Sequence, residues 1–374
     1  MIMSRQSLVL LVVLVVFMAG LWQGFRIAMN KPLWNDEIFS QMQSVDNISW
    51  KDIWLGHIQE GNNSPLFYSV QKIICSLSGY RTINLWKEDN VRIRCFLRIA
   101  PVVCMSLGLA LIVGFFCAYY SFWGGLIAFI IAISSYMVWY YGAEARPYAF
   151  VFLVTAAQAL FLLYVCRFAK EPRYGALGLM NFLMALITWL SVIQIVAAGV
   201  ILWLSGYRRV FPFLSCIGLP LFVAAVYYMN AIHLKFRFMP LGMPTAVIGA
   251  NIPAVRLAAF FIFPLLIWGW DRFISKEKNL FLWPFFFWSW LTFIGYVLFL
   301  GYLFAIQRPH QGFEVSNRYL MSLTPIGIVC LTVAILEFLK RPRRLWIKIV
   351  VWIGIALVIL PRLSNVYSWI VYGL

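Results

Sequence analysis

Long, uninterrupted apolar runs constrain this chain more than any other feature. A helix that crosses a bilayer needs about 20 consecutive, mainly apolar residues, and eleven stretches of the sequence approach that length. They lie at residues 7–25, 99–120, 122–140, 147–166, 176–190, 192–206, 211–229, 255–271, 281–304, 318–339 and 346–361. Because backbone polar groups in lipid must be paired within a helix, we expect an all-α, polytopic transmembrane bundle of about eleven spans. The short pair 176–190 and 192–206 alternatively forms one bent unit or a re-entrant hairpin.

The composition agrees with a membrane protein and argues against a nucleic-acid partner. Of the 374 residues, 63% are hydrophobic and 11% are charged, whereas soluble domains have about 25% charged residues. The net charge of +17 comes from basic clusters between apolar runs, a pattern that reflects topology. Ser7–Phe25 follows Arg5 and lacks a small-residue cleavage site, so we interpret it as an uncleaved signal anchor in the plasma (inner) membrane.

The basic residues predict the orientation of the chain. With the N-terminus in the cytoplasm, four of the five cytoplasmic connections are basic, as the positive-inside rule requires. Their residues are Arg167, Lys170 and Arg173; Arg208 and Arg209; Arg272, Lys276 and Lys278; and Lys340, Arg341, Arg343, Arg344 and Lys348. This orientation places residues 26–98 outside the cell as one long loop.

That first extracytoplasmic loop contains seven of the chain's 13 acidic residues. Within it, Pro65–Leu77 is predicted to form an interfacial helix, and Asp46–Ser49 offers a helix start or turn. We expect residues 1–374 to form a single membrane domain with no soluble C-terminal domain.

The seven cysteines are scattered and show no metal-ligand spacing. They are interpreted as small core residues. Cys75 and Cys95 share a polar segment, so a disulfide between them is an alternative that spacing alone does not decide.

The first candidate site is the adjacent carboxylate pair Asp36 and Glu37, about ten residues after the first span. Near the lipid surface, partial desolvation makes a carboxylate a better general base. The alternative is structural, because Asp is a favoured N-cap residue and Asp36 would cap a helix that runs through Ile38 and Ser40.

The second candidate lies between the third and fourth predicted spans, on the same outer side. Glu144 and Arg146 stand there beside Pro147 and Tyr148. Pro147 suits a helix start, and ionisable groups at the membrane boundary suggest a site. A structural ion pair anchored by tyrosines is an equally weighted alternative.

The third candidate opens the tenth predicted span, where Arg318 and Tyr319 follow an outer loop that contains Arg308, His310 and Glu314. Arg318 alternatively extends to lipid headgroups. All three candidates map to one membrane face. Together they suit a reaction in which a phosphate leaves beside cations and an acceptor needs a base.

These motifs, taken in order, resemble the signatures of the GT-C membrane glycosyltransferases, and in particular the bacterial protein O-mannosyltransferase and aminoarabinose-transferase group. The resemblance covers about residues 1–340. It rests on Asp36–Glu37, Asn63–Tyr68, Arg98, Glu144–Tyr148 and Arg318–Tyr319 with Pro325. Relatives often have His-Pro-Pro-Leu where this chain has Asn63–Leu66, and a histidine near Thr188–Trp189. These departures leave a divalent metal as an open alternative.

The resemblance implies an inverting transfer of a sugar from a polyprenyl-phosphate donor to a lipid, glycan or protein acceptor at the extracytoplasmic face. It implies catalytic roles for Asp36 and Glu37, with Asp36 as the base that deprotonates or orients the acceptor. Substrate binding would fall to Arg98, Glu144, Arg146, Tyr148, Arg318 and Tyr319. From their charge and side, Arg146 and Arg318 are expected to hold the donor phosphate.

Two other classes remain alternatives. A solute transporter or lipid flippase would place binding groups near the bilayer midplane, whereas here the charges lie at the edge of the spans. A polymerase or ligase of lipid-linked glycans would carry its large outer loop late in the chain, whereas here the large loop is the first.

Overall fold

The computed structural model describes most of the chain. The described residues are 4–58, 64–78, 85, 90–168, 173–231, 258, 260–262, 264–266, 282–307, 317–340, 349, 352, 353, 356 and 367. Of residues 302–307, 317 and 318, only the backbone is described. In this part of the chain every regular element is a helix, which confirms the predicted all-α class.

The first extracytoplasmic loop of the prediction folds into short helices between two long ones. The helices are α1 (Arg5–Asn30), α2 (Asn35–Gln41), α3 (Trp50–Leu55), α4 (Pro65–Leu77), α5 (Val91–Leu97), α6 (Ile99–Tyr119), α7 (Phe122–Ile133), α8 (Tyr136–Gly142), α9 (Tyr148–Phe168), α10 (Tyr174–Ala185), α11 (Ser191–Leu204), α12 (Val210–Phe213), α13 (Leu219–Ala231), α14 (Trp283–Gln307) and α15 (Leu323–Leu339). The predicted helix at Pro65–Leu77 is confirmed, and Ser49 caps α3, whose start was expected at residues 46–49.

Five of the described helical segments are long and apolar enough to cross a membrane. They are Arg5–Asn30, Ile99–Tyr119, Tyr148–Phe168, Val210–Ala231 and Trp283–Gly301. The pair α7 and α8 would add a sixth span. Helices α10, α11 and α15 are apolar but shorter. Most of the predicted span 346–361 and most of the predicted span 255–271 lie outside the described residues, so the total of eleven stays a prediction.

The predicted span at 122–140 is not one straight helix, because α7 and α8 are bent by 65° relative to each other. Side chains pair with backbone groups around this break. The Ser134 hydroxyl donates to the carbonyl of Ile131 (2.8 Å), and the Trp139 indole donates to the carbonyl of Ile133 (2.8 Å). Such pairing makes a broken helix tolerable in an apolar environment.

The two ends of the bundle have different charge arrangements. At one end, Arg5 donates to the carbonyl of Ala118 (3.0 Å), while Arg167 and Lys340 both bind Glu337 (2.9 and 2.8 Å). These groups belong to segments predicted to be cytoplasmic. The C-terminal end of α1 and the N-terminal ends of α6, α9 and α15 lie at the opposite end, together with α2 to α5.

The predicted outer loop packs onto the bundle through its own hydrophobic cluster. Phe67 and Ile53 are buried there with Val151 and Met184 of α9 and α10. The Tyr227 hydroxyl of α13 also donates to the carbonyl of Ile53 (3.0 Å). This packing fixes the position of the loop's polar residues relative to the spans. Cys75 and Cys95 are both free thiols, so the alternative of a disulfide between them is wrong.

Helix α1 packs closely on α6 through two glycines spaced four residues apart. A side-chain carbon at Gly20 would approach the Ser106 hydroxyl to 2.8 Å, and one at Gly24 would approach Val102 to 2.7 Å. Small residues at this spacing let membrane helices approach closely. The position of α1 matters for function because its C-terminal end leads directly into the candidate site.

We expect Gly24→Leu to destabilise the protein by about 1–3 kcal/mol, because overpacking forces neighbouring atoms apart. Gly175→Leu in α10 is the matched control, since a Cβ atom at Gly175 would meet none of the described atoms within 4 Å. Size-exclusion chromatography of the detergent-solubilised protein after graded heating measures the difference. Equal loss of both variants would contradict the close α1–α6 contact.

Candidate functional site

Glu37 and Arg98 form a fully buried ion pair at the loop end of the bundle. The Arg98 guanidinium donates from Nε to Glu37 Oε1 (2.8 Å) and from Nη2 to Oε2 (2.5 Å), and neither side chain is exposed. Its other N–H groups donate to the carbonyls of Ala28 (3.0 Å), Lys31 (2.5 Å) and Pro32 (3.0 Å). All five guanidinium donors therefore have acceptors.

Both oxygens of the Glu37 carboxylate also have hydrogen-bond donors. Besides Arg98, its carboxylate accepts from the backbone N–H of Ala145 (2.6 Å) and from that of Trp34 (3.3 Å). The second contact caps α2, whose N-cap residue is Trp34. Asp36 lies in the first turn of α2, so the alternative of Asp36 as the helix cap is wrong.

Asp36, the neighbour of Glu37 in sequence, is only partly buried. Its side chain is 31% exposed, and its Oδ2 lies 3.9 Å from Nη2 of Arg146. The Arg146 guanidinium also donates to the Asp36 carbonyl (3.0 Å) and to the Ser40 hydroxyl, and its Nη2 lies 3.5 Å from the Tyr148 hydroxyl. Asp36 and Arg146 thus form a loose pair of a partly exposed carboxylate and a buried guanidinium.

Glu144 pairs with Lys31 and not with Arg146, so the predicted Glu144–Arg146 ion pair is wrong. Lys31 Nζ lies 2.6 Å from Glu144 Oε1 and 3.7 Å from the centre of the Tyr140 ring. Glu144 is fully buried. Burial raises its pKa to about 7, a rise that the Glu37 carboxylate increases and the Lys31 ammonium opposes. The Glu37 carboxylate therefore influences the charge state of Glu144.

A cleft joins the second and third sequence motifs. Its cavity volume is about 20 Å³, enough for about one water molecule, and Tyr148 and Tyr319 both line it. The other lining residues are Pro147, Val151, Thr188, Leu190, Met321 and Ser322. The Arg146 guanidinium lies close to this cleft, because its Nη2 is 3.5 Å from the hydroxyl of Tyr148, a lining residue.

Most predicted site residues meet at this end of the bundle. Asp36, Glu37, Arg98, Glu144, Arg146, Tyr148 and Tyr319 all do so. The backbone of Arg318 lies in a short 3₁₀ turn, Asn317–Leu320, that leads to Tyr319. The side chain of Arg318 and residues 308–316, which include Arg308, His310 and Glu314, lie outside the described residues, as does Asn63.

The structure places two of the predicted site residues in buried, fully hydrogen-bonded surroundings. Glu37 was expected to be catalytic and Arg98 to bind substrate, but both are buried and saturated, which favours a positioning role for each. Sequence reasoning missed Lys31 and Ser40. The signal for Lys31 was its place at the membrane boundary, where an ammonium requires a partner; Ser40 gave no signal beyond its spacing of one helical turn from Asp36.

No group of three His, Cys, Asp or Glu side chains arranged to hold a metal ion occurs in the described ranges. The charged site is instead built from acid–base pairs: Lys31 with Glu144, Arg98 with Glu37, and Arg146 with Asp36.

Comparisons of the chain with protein-family models, with curated proteins and with solved structures find no match. A function is therefore inferred from the chemistry of the site and from the sequence motifs.

We expect Glu37→Gln to destabilise the protein by about 3–5 kcal/mol, because it leaves the Arg98 charge buried without its counter-charge. Asp36→Asn should change stability by less than about 1 kcal/mol, since Asp36 is exposed and its ion pair is loose. Thermal unfolding of the two purified variants measures this difference. A stable Glu37→Gln protein would argue against the positioning role.

The raised pKa of Glu144 predicts a pH dependence of stability. A carboxyl whose pKa is higher in the folded state favours folding while it is protonated, and this contribution is lost as the pH rises through the folded-state pKa. We expect wild type to lose stability relative to Glu144→Gln between about pH 5 and about pH 7. Parallel pH profiles of the unfolding temperature would rule this out.

Proposed function

We propose that this protein is a GT-C-type membrane glycosyltransferase, a hexosyl- or pentosyltransferase, that transfers a sugar from a polyprenyl-phosphate donor to a lipid, glycan or protein acceptor. The loop end of the bundle, which carries Asp36 and Arg146, would face the extracytoplasmic side of the plasma membrane. The proposal rests on the sequence motifs and on the separation of buried from accessible charges at this end.

The accessibility of Asp36 carries the proposal. Of the two adjacent carboxylates, Glu37 is saturated by four donors, whereas Asp36 is held on the same turn of helix with its carboxylate at the surface. A general base needs a fixed position and room for a proton donor. Asp36 has both, because α2 is anchored by its neighbour.

Arg146 supplies the complementary group. Its guanidinium is oriented by the Asp36 carbonyl and Ser40, and it stands beside the cleft that Tyr148 and Tyr319 line. A guanidinium can bind phosphate oxygens through two parallel hydrogen bonds. A donor phosphate at the mouth of the cleft would therefore meet a positioned cation.

The transfer step follows from this arrangement. The acceptor hydroxyl gives its proton to the Asp36 carboxylate as its oxygen forms a bond to the anomeric carbon of the sugar. The bond between that carbon and the phosphate oxygen breaks, and both bonding electrons leave with the phosphate. Attack from the face opposite to the phosphate inverts the anomeric configuration. Arg146 stabilises the negative charge that develops on the leaving phosphate.

A transporter fits the described residues less well. The ion-paired groups in the described residues lie at the ends of the bundle, and the polar side chains deep in the bundle include neutral amides that are bonded to each other. Gln158 donates to Asn181 (2.6 Å) and accepts from Gln194 (2.7 Å). Such amide contacts commonly hold membrane helices together.

We expect Asp36→Asn to lower the rate of transfer by about 10²-fold or more, the scale of general-base catalysis, while the protein stays folded. The measurement is transfer of radiolabelled sugar from polyprenyl-phosphate donors to membrane extracts, with purified enzyme. Glu37→Gln rescued in stability by a lower assay temperature should keep more activity than Asp36→Asn; the reverse order would reassign the base.

We expect Arg146→Lys to reduce kcat with a smaller effect on KM for the donor, because an ammonium keeps the charge but loses the paired hydrogen bonds to the leaving phosphate. Arg94→Lys is the matched control. Arg94 lies at the same end of the bundle, where its Nη1 donates to the Met29 carbonyl (3.3 Å). Wild-type values of kcat and KM in Arg146→Lys would contradict the proposed contact between Arg146 and the donor phosphate.

A further inference from the structure

Arg167 and Lys340 share one carboxylate at the end of the bundle opposite to the candidate site. Arg167 belongs to α9, and Lys340 is the residue that caps α15. Both donate to the same oxygen of Glu337, Oε1, at 2.9 and 2.8 Å. The other acidic residues in the described ranges lie at the loop end of the bundle. Two positive charges therefore meet a single negative charge here.

The ring of Tyr120 holds these two cations close to each other. Tyr120 directly follows α6. The guanidinium carbon of Arg167 lies 3.7 Å from the centre of the ring, and Lys340 Nζ lies 4.8 Å from it. The face of an aromatic ring attracts cations. The side chains of Arg167 and Lys340 are 22% and 49% exposed, so both cations are accessible to a further anion.

A structural role explains Arg167 better than it explains Lys340. The contact between Arg167 and Glu337 ties α9 to α15 and needs only one cation. Lys340 follows Glu337 by three residues at the end of the same helix, and exposed pairs of this kind contribute little to stability. Three more arginines follow within four residues of Lys340 in the sequence. Arg167, Lys340, Glu337 and Tyr120 thus form a cation cluster whose positive charge exceeds what the helix contact requires.

An aromatic surface extends from the cation cluster along α6 and α9. It consists of Phe115 and Tyr119 of α6 with Tyr164 and Phe168 of α9, whose neighbouring ring centres lie 4.8, 5.3 and 4.9 Å apart in that order. Tyr119 is 43% exposed and Phe168 is 39% exposed. Both helices are long and apolar enough to span a membrane, so this surface would meet lipid. The Arg167 guanidinium lies 5.6 Å from the Phe168 ring centre, which places the cations at the end of the aromatic surface.

We propose that the cation cluster binds the phosphate of an anionic phospholipid, whose acyl chains lie along the aromatic surface. Ammonium and guanidinium groups form strong hydrogen bonds to phosphate oxygens, and basic groups between membrane helices suit anionic headgroups. A zwitterionic lipid brings its own ammonium group, which Arg167 and Lys340 repel. A free phosphate ion makes no contact with the aromatic surface. The inference is independent of the proposed function, because Asp36 and Arg146 lie at the other end of the bundle.

The experiment measures the lipid selectivity of the purified, delipidated protein in detergent. The protein is incubated with phosphatidylglycerol and phosphatidylcholine that carry identical acyl chains, at equal concentrations. Native mass spectrometry then gives the fraction of the protein that retains each lipid, and the ratio of the two fractions is the selectivity ratio. We expect the wild-type protein to retain more phosphatidylglycerol, so that its selectivity ratio is well above one.

Two substitutions should change the selectivity ratio in opposite directions. Lys340→Gln should lower it by about 5-fold, the contribution of one cation near a charged membrane surface. Glu337→Gln should raise it, because the carboxylate that competes with the lipid phosphate is lost, and a gain of binding does not arise from misfolding. Arg208→Gln is the matched control. Arg208 is an exposed cation beside the Trp203 ring (5.4 Å) after the C-terminal end of α11, so the ratio should stay at the wild-type value.

Three results would overturn the lipid site. They are a wild-type selectivity ratio of one, a ratio that falls in Glu337→Gln, and a ratio that falls as far in Arg208→Gln as in Lys340→Gln, which would assign the selectivity to the overall positive charge. The source of the phosphate is tested with glycerophosphoglycerol, the same headgroup without acyl chains. At the concentration of the lipid it should leave phosphatidylglycerol bound, whereas displacement would reject the lipid and indicate a site for a small anion. None of these measurements depends on sugar transfer.

Discussion

The buried ion pair between Glu37 and Arg98 joins parts of the chain that are far apart in sequence. Arg98 binds three carbonyls at the C-terminal end of α1, and Glu37 binds the backbone of Ala145. Burying two charges is expensive, and it is tolerable only when every donor and acceptor is paired. Because that condition is met here, the pair fixes the end of α1, the start of α6 and the segment before α9 in one arrangement.

The positions of Asp36 and Arg146 depend on this arrangement. The rigid attachment of α2 places Asp36 at the surface, and the segment that Ala145 belongs to places Arg146 opposite it. The Lys31–Glu144 pair adds a second buried contact on the same side. The three neighbouring acid–base pairs therefore differ in exposure, and Asp36 is the most exposed of their acids. Such a division between a rigid support and an accessible pair is what a preorganised site needs.

The interior of the bundle contains a different kind of polar group. There the polar groups are neutral, and some of them are paired across helices, as Gln158 is with Gln194. Neutral amides and hydroxyls can be buried in a bundle at a lower free-energy cost than charges. In the described part of the chain, the ion pairs thus lie at the ends of the helices and neutral polar groups lie in the interior.

The sequence by itself determined the helical membrane class, because apolar runs of spanning length have few other solutions in lipid. It also predicted the helix at Pro65–Leu77 and brought Asp36, Arg146 and Tyr148 to one end of the bundle, since alternating spans return to the same side. Only the tertiary structure decided which charged side chains pair with each other. Glu144 binds Lys31, and Glu37 binds Arg98, because side-chain pairing depends on how helix ends approach each other in space. The bend between α7 and α8 likewise became visible only in the tertiary structure, because the apolar run at 122–140 predicts one continuous span.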